Sequence, residues 1–162
     1  MNNRNNVLEK LEFIINDLNT NTRFLENKNF IQHGQTSIYE HVIGVCLKSI
    51  EIAQILKLDV DYDSLIRGAL LHDYFLYDWH NHDARHYLHG FFHPRIALEN
   101  AKKELKLTKI EEDIILKHMF PLTVFPPRYK EAWVVTLADK IVAVTETFSR
   151  NSKKQLRVGV DL

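Results

Sequence analysis

GALLHDYFLYDWHNH, residues 68–82, decides how the rest of the chain is read. It opens as an apolar run suited to burial: Gly68, Ala69, Leu70 and Leu71. It then sets an imidazole beside a carboxylate, His72 and Asp73, and continues into aromatics and further histidines. A lone carboxylate or imidazolium is costly to bury unless something pairs with it. The stretch therefore predicts that other parts of the chain converge on His72 and Asp73.

Outward from this pair the pattern is helical in both directions. Leu65, Ile66, Ala69 and Leu70 predict a helix over Tyr62–Tyr74 that ends on the pair. Before it, DVDYDS (59–64) reads as loop and cap. Ile38, Val42, Val45, Ser49 and Ile52 place a helix over about 37–57, with His41 on its apolar face. Thr36 or Ser37 can cap that helix, and Glu40 stands near the capping-box position. QHGQTS (32–37) breaks the chain. Further upstream, Val7, Leu8, Leu11, Ile14, Ile15 and Leu18 predict a helix over about 7–18, and a short helix fits Arg23–Asn29.

Downstream, residues 77–92 do not read as regular structure. HPRIALENAKKEL (93–105) reads as a helix start, with Pro94 early enough for its missing N–H to do no harm. Another helix is expected over Thr108–His118, with Ile110, Ile114 and Ile115 inward, followed by a proline-dictated loop, FPLTVFPP (120–127). The last helix, over about Tyr129–Phe148, carries Trp133, Val134, Leu137, Ala138, Ile141, Val144 and Phe148. No strand is expected. The reading is all-α and single-domain, a bundle of six to seven helices, with a helical extension over 1–30, the main body over 31–150 and a tail over 151–162.

Bulk properties narrow the function. The length of 162 residues suits one domain, and 45% apolar residues suffice for a core. Lys plus Arg and Asp plus Glu are both 21, so no overall field draws the chain to nucleic acid or to an anionic membrane. Cys46 is the single cysteine, which excludes an internal disulfide and a cysteine-based zinc site. MNNRNNVLEKLEF lacks the apolar core of a signal peptide, and no run approaches the roughly 20 apolar residues of a membrane span. A cytoplasmic protein is expected. The unusual feature is nine histidines, of which five fall between His72 and His89.

Six metal-capable side chains lie where burial is predicted: His41, His72, Asp73, His93, His118 and Asp139, the last inside VVTLADKIVAV (134–144). Taken singly, each is explained as a hydrogen-bonded core residue or a partner for a buried cation. Taken together, a metal removes the burial problem for all six. This ordered set resembles the H…HD…H…H…D signature of the HD-domain superfamily of metal-dependent phosphohydrolases. The resemblance extends over about residues 36–149, and RGALLHD (67–73) and LADK (137–140) also look like family text.

The resemblance implies an HD-type helical bundle and two divalent metals per chain. One would be held by His41, His72, Asp73 and Asp139, the other by Asp73, His93 and His118. All-N/O ligation suits iron, manganese, nickel, cobalt or zinc without singling one out. It further implies hydrolysis of a small phosphorylated molecule, a nucleotide among the candidates, by a metal-activated water. Dinucleoside tetraphosphate hydrolases are one specific candidate class. LHGFFHPR (88–95) stands where HD-GYP phosphodiesterases carry their GYP element, which argues against cyclic dinucleotides. The same ligand set also serves mixed-valent di-iron oxygenases and is compatible with a non-catalytic metal- or nucleotide-binding module.

Around these ligands, Asp73 and Lys140 are the candidates for catalysis. Arg67, His80, His89, Arg95 and Lys140 are the candidates for contact with substrate phosphate. Arg67, Arg95 and Lys140 are equally suited to carboxylate pairing, and His80 to a polar surface loop. Tyr77, Trp79, Phe91 and Phe92 suit either base stacking or simple packing.

Overall fold

The computed structural model describes residues 2–33, 36–78 and 89–158, with the side chains of 6–32, 36–78 and 90–148. Its centre is the apolar helix of the opening stretch, α3, Tyr62–Leu71. Asp61 caps it by accepting the Asp63 N–H, and Leu65, Ile66, Gly68, Ala69, Leu70 and Leu71 are all buried. The helix is shorter than expected: it ends at Leu71, and His72 to Phe75 form the turn that follows. The pair thus stands just past the helix end, where carbonyls lack helical partners.

The other helices pack around α3. α2, Ile38–Ile55, starts at the expected capping box, in which Ser37 accepts the Glu40 N–H and the Glu40 carboxylate accepts the Ser37 N–H. It buries Ile38, His41, Val42, Val45, Cys46, Ser49, Ile50 and Ala53. Its far end turns through Lys57 at φ 50°, a left-handed position usually given to glycine, with the Leu58 N–H returning to the Ala53 carbonyl. α5, Lys109–Lys117, is capped by the same device, Thr108 with Glu111.

α1, Asn2–Asn21, is longer than its apolar stripe. It buries only Val7, Leu11, Ile14 and Leu18, while Leu8 stays 40% exposed. Lys10 and Asp63, 2.6 Å apart, tie α1 to α3. A 3-10 helix, Phe24–Asn29, follows. It seats the buried Phe24 ring 5.2 Å from Tyr39.

Three further features depart from the sequence expectation. A short antiparallel ladder joins β1, Ile31–His33, to β2, Thr36–Ser37, in the segment expected to be a plain break. Two to three residues are too few to show a period of two, so the sequence carries no signal for it. α4, His89–Glu104, begins about a turn before Pro94 and takes the proline into its body. α6, Lys130–Val158, runs on through the segment expected to be a tail. Asp113 organises its start, accepting the N–H groups of Arg128 and Tyr129 at 2.7 and 3.1 Å. α6 carries apolar residues on two faces. Ala132, Val134, Val135 and Ala138 are buried, whereas Trp133, Leu137, Ile141, Val144 and Phe148 are 38–67% exposed.

The architecture is therefore all-α with one tiny ladder, as the sequence implies. Among the described residues, no helix is long and apolar enough to cross a membrane.

Candidate metal centre

The close approach of α3 and α5 sets the geometry. A Cβ on Gly68 would stand 2.5 Å from Ile114 Cδ1 and 3.1 Å from its Cβ and Cγ2, so only glycine admits this contact unchanged. His72 and His118 each lie four residues, about one turn, beyond these two positions. Both are C-cap residues in α-helical conformation. Their rings meet edge to face with centroids 4.8 Å apart.

The two C-caps repeat one local device. His72 Nδ1 donates to the Ala69 carbonyl at 2.7 Å, and His118 Nδ1 donates to the Ile115 carbonyl at 2.9 Å. Each bond satisfies a carbonyl near the helix end. Each also fixes the proton on Nδ1, leaving the Nε2 lone pair toward the centre.

Asp73 lies between two groups of imidazoles. Its Oδ2 is 3.5 Å from His72 Nε2 and 3.9 Å from His41 Nε2. Its Oδ1 is 3.1 Å from His93 Nε2 and 3.5 Å from His118 Nε2. On the first side Asp139 Oδ1 comes within 3.1 Å of His41 Nε2 and 3.7 Å of His72 Nε2. His93 and His118 approach each other at 2.8 Å through their Nε2 atoms. His41, His72, Asp73, His93 and His118 are each at most 3% exposed.

All six residues singled out as ligands therefore come together, from α2, α4, α6 and the ends of α3 and α5. Five of them form two trios that share Asp73: His41, His72 and Asp73, and Asp73, His93 and His118, each with ligand atoms within 4.8 Å of one another; Asp139 stands beside the first. The arrangement fits divalent metals on chemical grounds. Buried His72 Nε2 has no hydrogen-bond partner among the described residues, an expensive condition for a lone pair unless a cation meets it. The imidazole and carboxylate donors suit first-row transition metals.

Electrostatics divide the centre in two. Burial works against charge on His41, but hydrogen bonds to Asp139 and Glu146, with the Asp73 charge, push it up to about 10. Burial likewise opposes charge on His72, and the Asp73 carboxylate overrides it upward. For His118 burial wins, and its pKa falls below the ordinary value. The carboxylates respond in the opposite sense. Burial would raise Asp73, but its imidazole neighbours, His72 foremost, hold it well below the usual range. Asp139 is held down in the same way, His41 foremost.

The other nominated residues are placed less uniformly. Lys140 follows Asp139 and donates to the His118 carbonyl at 3.1 Å, so its amine joins α6 to the end of α5 beside the centre. Arg67 is engaged elsewhere: it donates to the Lys106 carbonyl at 3.2 Å and faces Glu111 at 3.7 Å. Glu111 is in the first turn of α5 and His118 follows its last, about 10 Å apart along the axis. Arg95 pairs with Glu99 on the exposed face of α4. Phe91 and Phe92 are half exposed, and Tyr77 packs on Phe75 at 4.9 Å. His80 and Trp79, and the side chain of His89, lie outside the described residues.

Two residues at the centre escaped the sequence reading. Glu146 accepts from His41 Nδ1 at 3.0 Å. It lies seven residues after Asp139, two turns along the same helix face, and that spacing was the available signal. Gln32 donates from Nε2 to Asp73 Oδ2 at 2.6 Å. Its only sequence signal was its place in the QHGQTS break just before the first ligand helix. A carboxylate behind a ligating histidine orients the ring and raises its basicity. Glu146→Ala is therefore expected to weaken metal binding at the His41 side roughly 10- to 100-fold while leaving the His93–His118 side loaded. Calorimetric titration with manganese measures this, and equal affinity in parent and variant would remove Glu146 from the centre.

A family model described as HD domain matches residues 38–144, a span that contains all six candidate ligand residues and excludes Gln32 and Glu146. No curated protein and no solved structure matches the chain.

Proposed function

Because the chain belongs to the HD-domain family, whose members are in general metal-dependent hydrolases, we propose that it hydrolyses a small phosphoester, of the nucleotide class, at a centre of two divalent metals. The observation that carries this reading is the division of Asp73. One carboxylate oxygen faces His41 and His72, and the other faces His93 and His118. A carboxylate so divided is suited to join two metals.

His41, His72, Asp73 and Asp139 would hold the first, and Asp73, His93 and His118 the second. Bound there, the metals would supply Lewis acidity toward water and phosphoryl oxygen. The chain's own groups do the rest. The Nδ1 bonds to Ala69 and Ile115 keep two imidazoles in the ligating tautomer. Burial of the four histidines keeps bulk water from screening the charges, so their field on an anionic substrate is strong. Lys140, beside Asp139, is the cation best placed to meet substrate phosphate, by exchanging its bond to the His118 carbonyl.

Elemental analysis of metal per chain, on protein purified without tag or chelator, tests the reading when run beside His118→Ala. About two metals are expected in the parent, falling toward one in the variant. Turnover of nucleotide and aryl phosphoesters is expected with manganese in anaerobic buffer. One metal in both proteins would remove His93 and His118 from the ligand set. Turnover that requires oxygen and iron would replace hydrolysis with the oxygenase reading.

A further inference from the structure

We propose that Gln32 is a positioning residue that holds the Asp73 carboxylate in the one rotation that divides its oxygens between the two metal trios. The proposal rests on the two-metal reading above. It concerns a residue outside the segment matched by the family model.

The ladder of β1 and β2 puts Gln32 in place. Side chains alternate faces along a strand, and Gln32, 7% exposed, turns inward next to Ile31, which is 38% exposed. The inward amide meets Asp73 across 41 residues of sequence, Nε2 to Oδ2 at 2.6 Å. At this distance the amide must present its N–H, since an amide oxygen in the same place would repel the carboxylate. The bond is made to Oδ2 alone, so it acts on rotation of the carboxylate about its own axis. Locked in this way, Oδ1 stays with His93 at 3.1 Å and Oδ2 stays on the side of His41 and His72. Free to rotate, the carboxylate could give both oxygens to one trio and leave the other a ligand short.

The residue type fits this task better than a purely structural one. Lysine or arginine here would place a cation where the metals must bind, and aspartate or glutamate would repel Asp73. A neutral donor orients the carboxylate without competing for it. The amide also carries a cost that folding alone does not recover. Its Oε1 is buried with no partner among the described residues, and such a group weakens a fold. An apolar side chain of similar shape would avoid that cost.

Manganese titration followed by electron paramagnetic resonance tests the proposal on the full chain, with Gln32→Leu and Gln32→Met as two apolar replacements of similar size. In the parent, two manganese ions joined through Asp73 are expected to give a spin-coupled signal. In both variants we expect the first ion to bind as in the parent. The second should bind 10- to 100-fold more weakly, and the coupled signal should give way to the six-line signal of separate ions. Thermal unfolding of the metal-free variants should fall only modestly, because Asp73 Oδ2 loses a hydrogen bond while the partnerless Gln32 amide oxygen is removed with it. Unchanged coupling in a folded variant would overturn the proposal. So would a variant that loses stability and both ions in equal measure, since that marks a merely structural role. A parent that binds one ion instead overturns the two-metal reading itself, and that outcome shows in the parent before any variant is compared.

Discussion

Asp73→Asn is expected to reduce turnover by far more than the ~100-fold that loss of an outer-sphere partner causes, and to leave at most one metal in the protein. The substitution keeps shape and volume, so the core around it need not repack. It replaces one of two acceptor oxygens with an NH2 donor. One of the two trios, His41 with His72 or His93 with His118, then faces a donor where it needs a lone pair. It also removes one of the negative charges that raise His72 and His41, leaving Asp139 as the carboxylate beside both imidazoles in the metal-free protein. Circular dichroism would confirm the fold, elemental analysis the metal, and a phosphoester assay the activity. Two metals retained with full activity would sink the shared-carboxylate reading.

The second large effect is expected from Gly68→Val. Alanine here already brings Cβ to 2.5 Å from Ile114 Cδ1, and valine adds two branches at a buried site. Overpacking of this kind costs roughly 1–3 kcal/mol, and glycine's poor helix propensity returns only part of that, less than about 1 kcal/mol. The strain has a direction. The contact lies four residues before both His72 and His118, so relief by separating α3 from α5 pulls the two rings apart. Denaturant unfolding should therefore show a loss of about 2 kcal/mol, with the His93–His118 side losing metal first. Gly68→Ala should show the same order of losses at smaller size. Stability lost with unchanged metal content in both variants would mean that the bundle repacks around position 68 without moving the centre.

Much of this was legible in the chain. The helices around the pair could be read because an apolar stripe at helical spacing must be covered, and the Ser37–Glu40 box marks a helix start by local chemistry alone. The six candidate ligands could be read because each put an ionisable group where apolar neighbours predict burial, as Asp139 does between Ala138 and Val142. What could not be read follows from contacts made far along the chain. The end of α3 at Leu71 depends on where His72 finds its centre, not on propensity. Arg67 sits beside the motif in sequence, yet its partners are Lys106, just before α5, and Glu111 in its first turn, because its direction around the helix carries it away from His72. The two apolar faces of α6 have similar periodicity, and only the packing of α2 and α5 selects Val134, Val135 and Ala138 for the inside.

The sequence by itself determined the class of the fold, the family and the six candidate ligands, because periodicity, capping and the cost of burying charge are local properties of residues. Tertiary structure alone decided how Asp73 is shared and which residues stand behind the ligands. Gln32 reaches Asp73 from a ladder too short to announce itself, and Glu146 reaches His41 across 105 residues. Such partners are chosen by distance in space, which a sequence does not carry until the helices have packed.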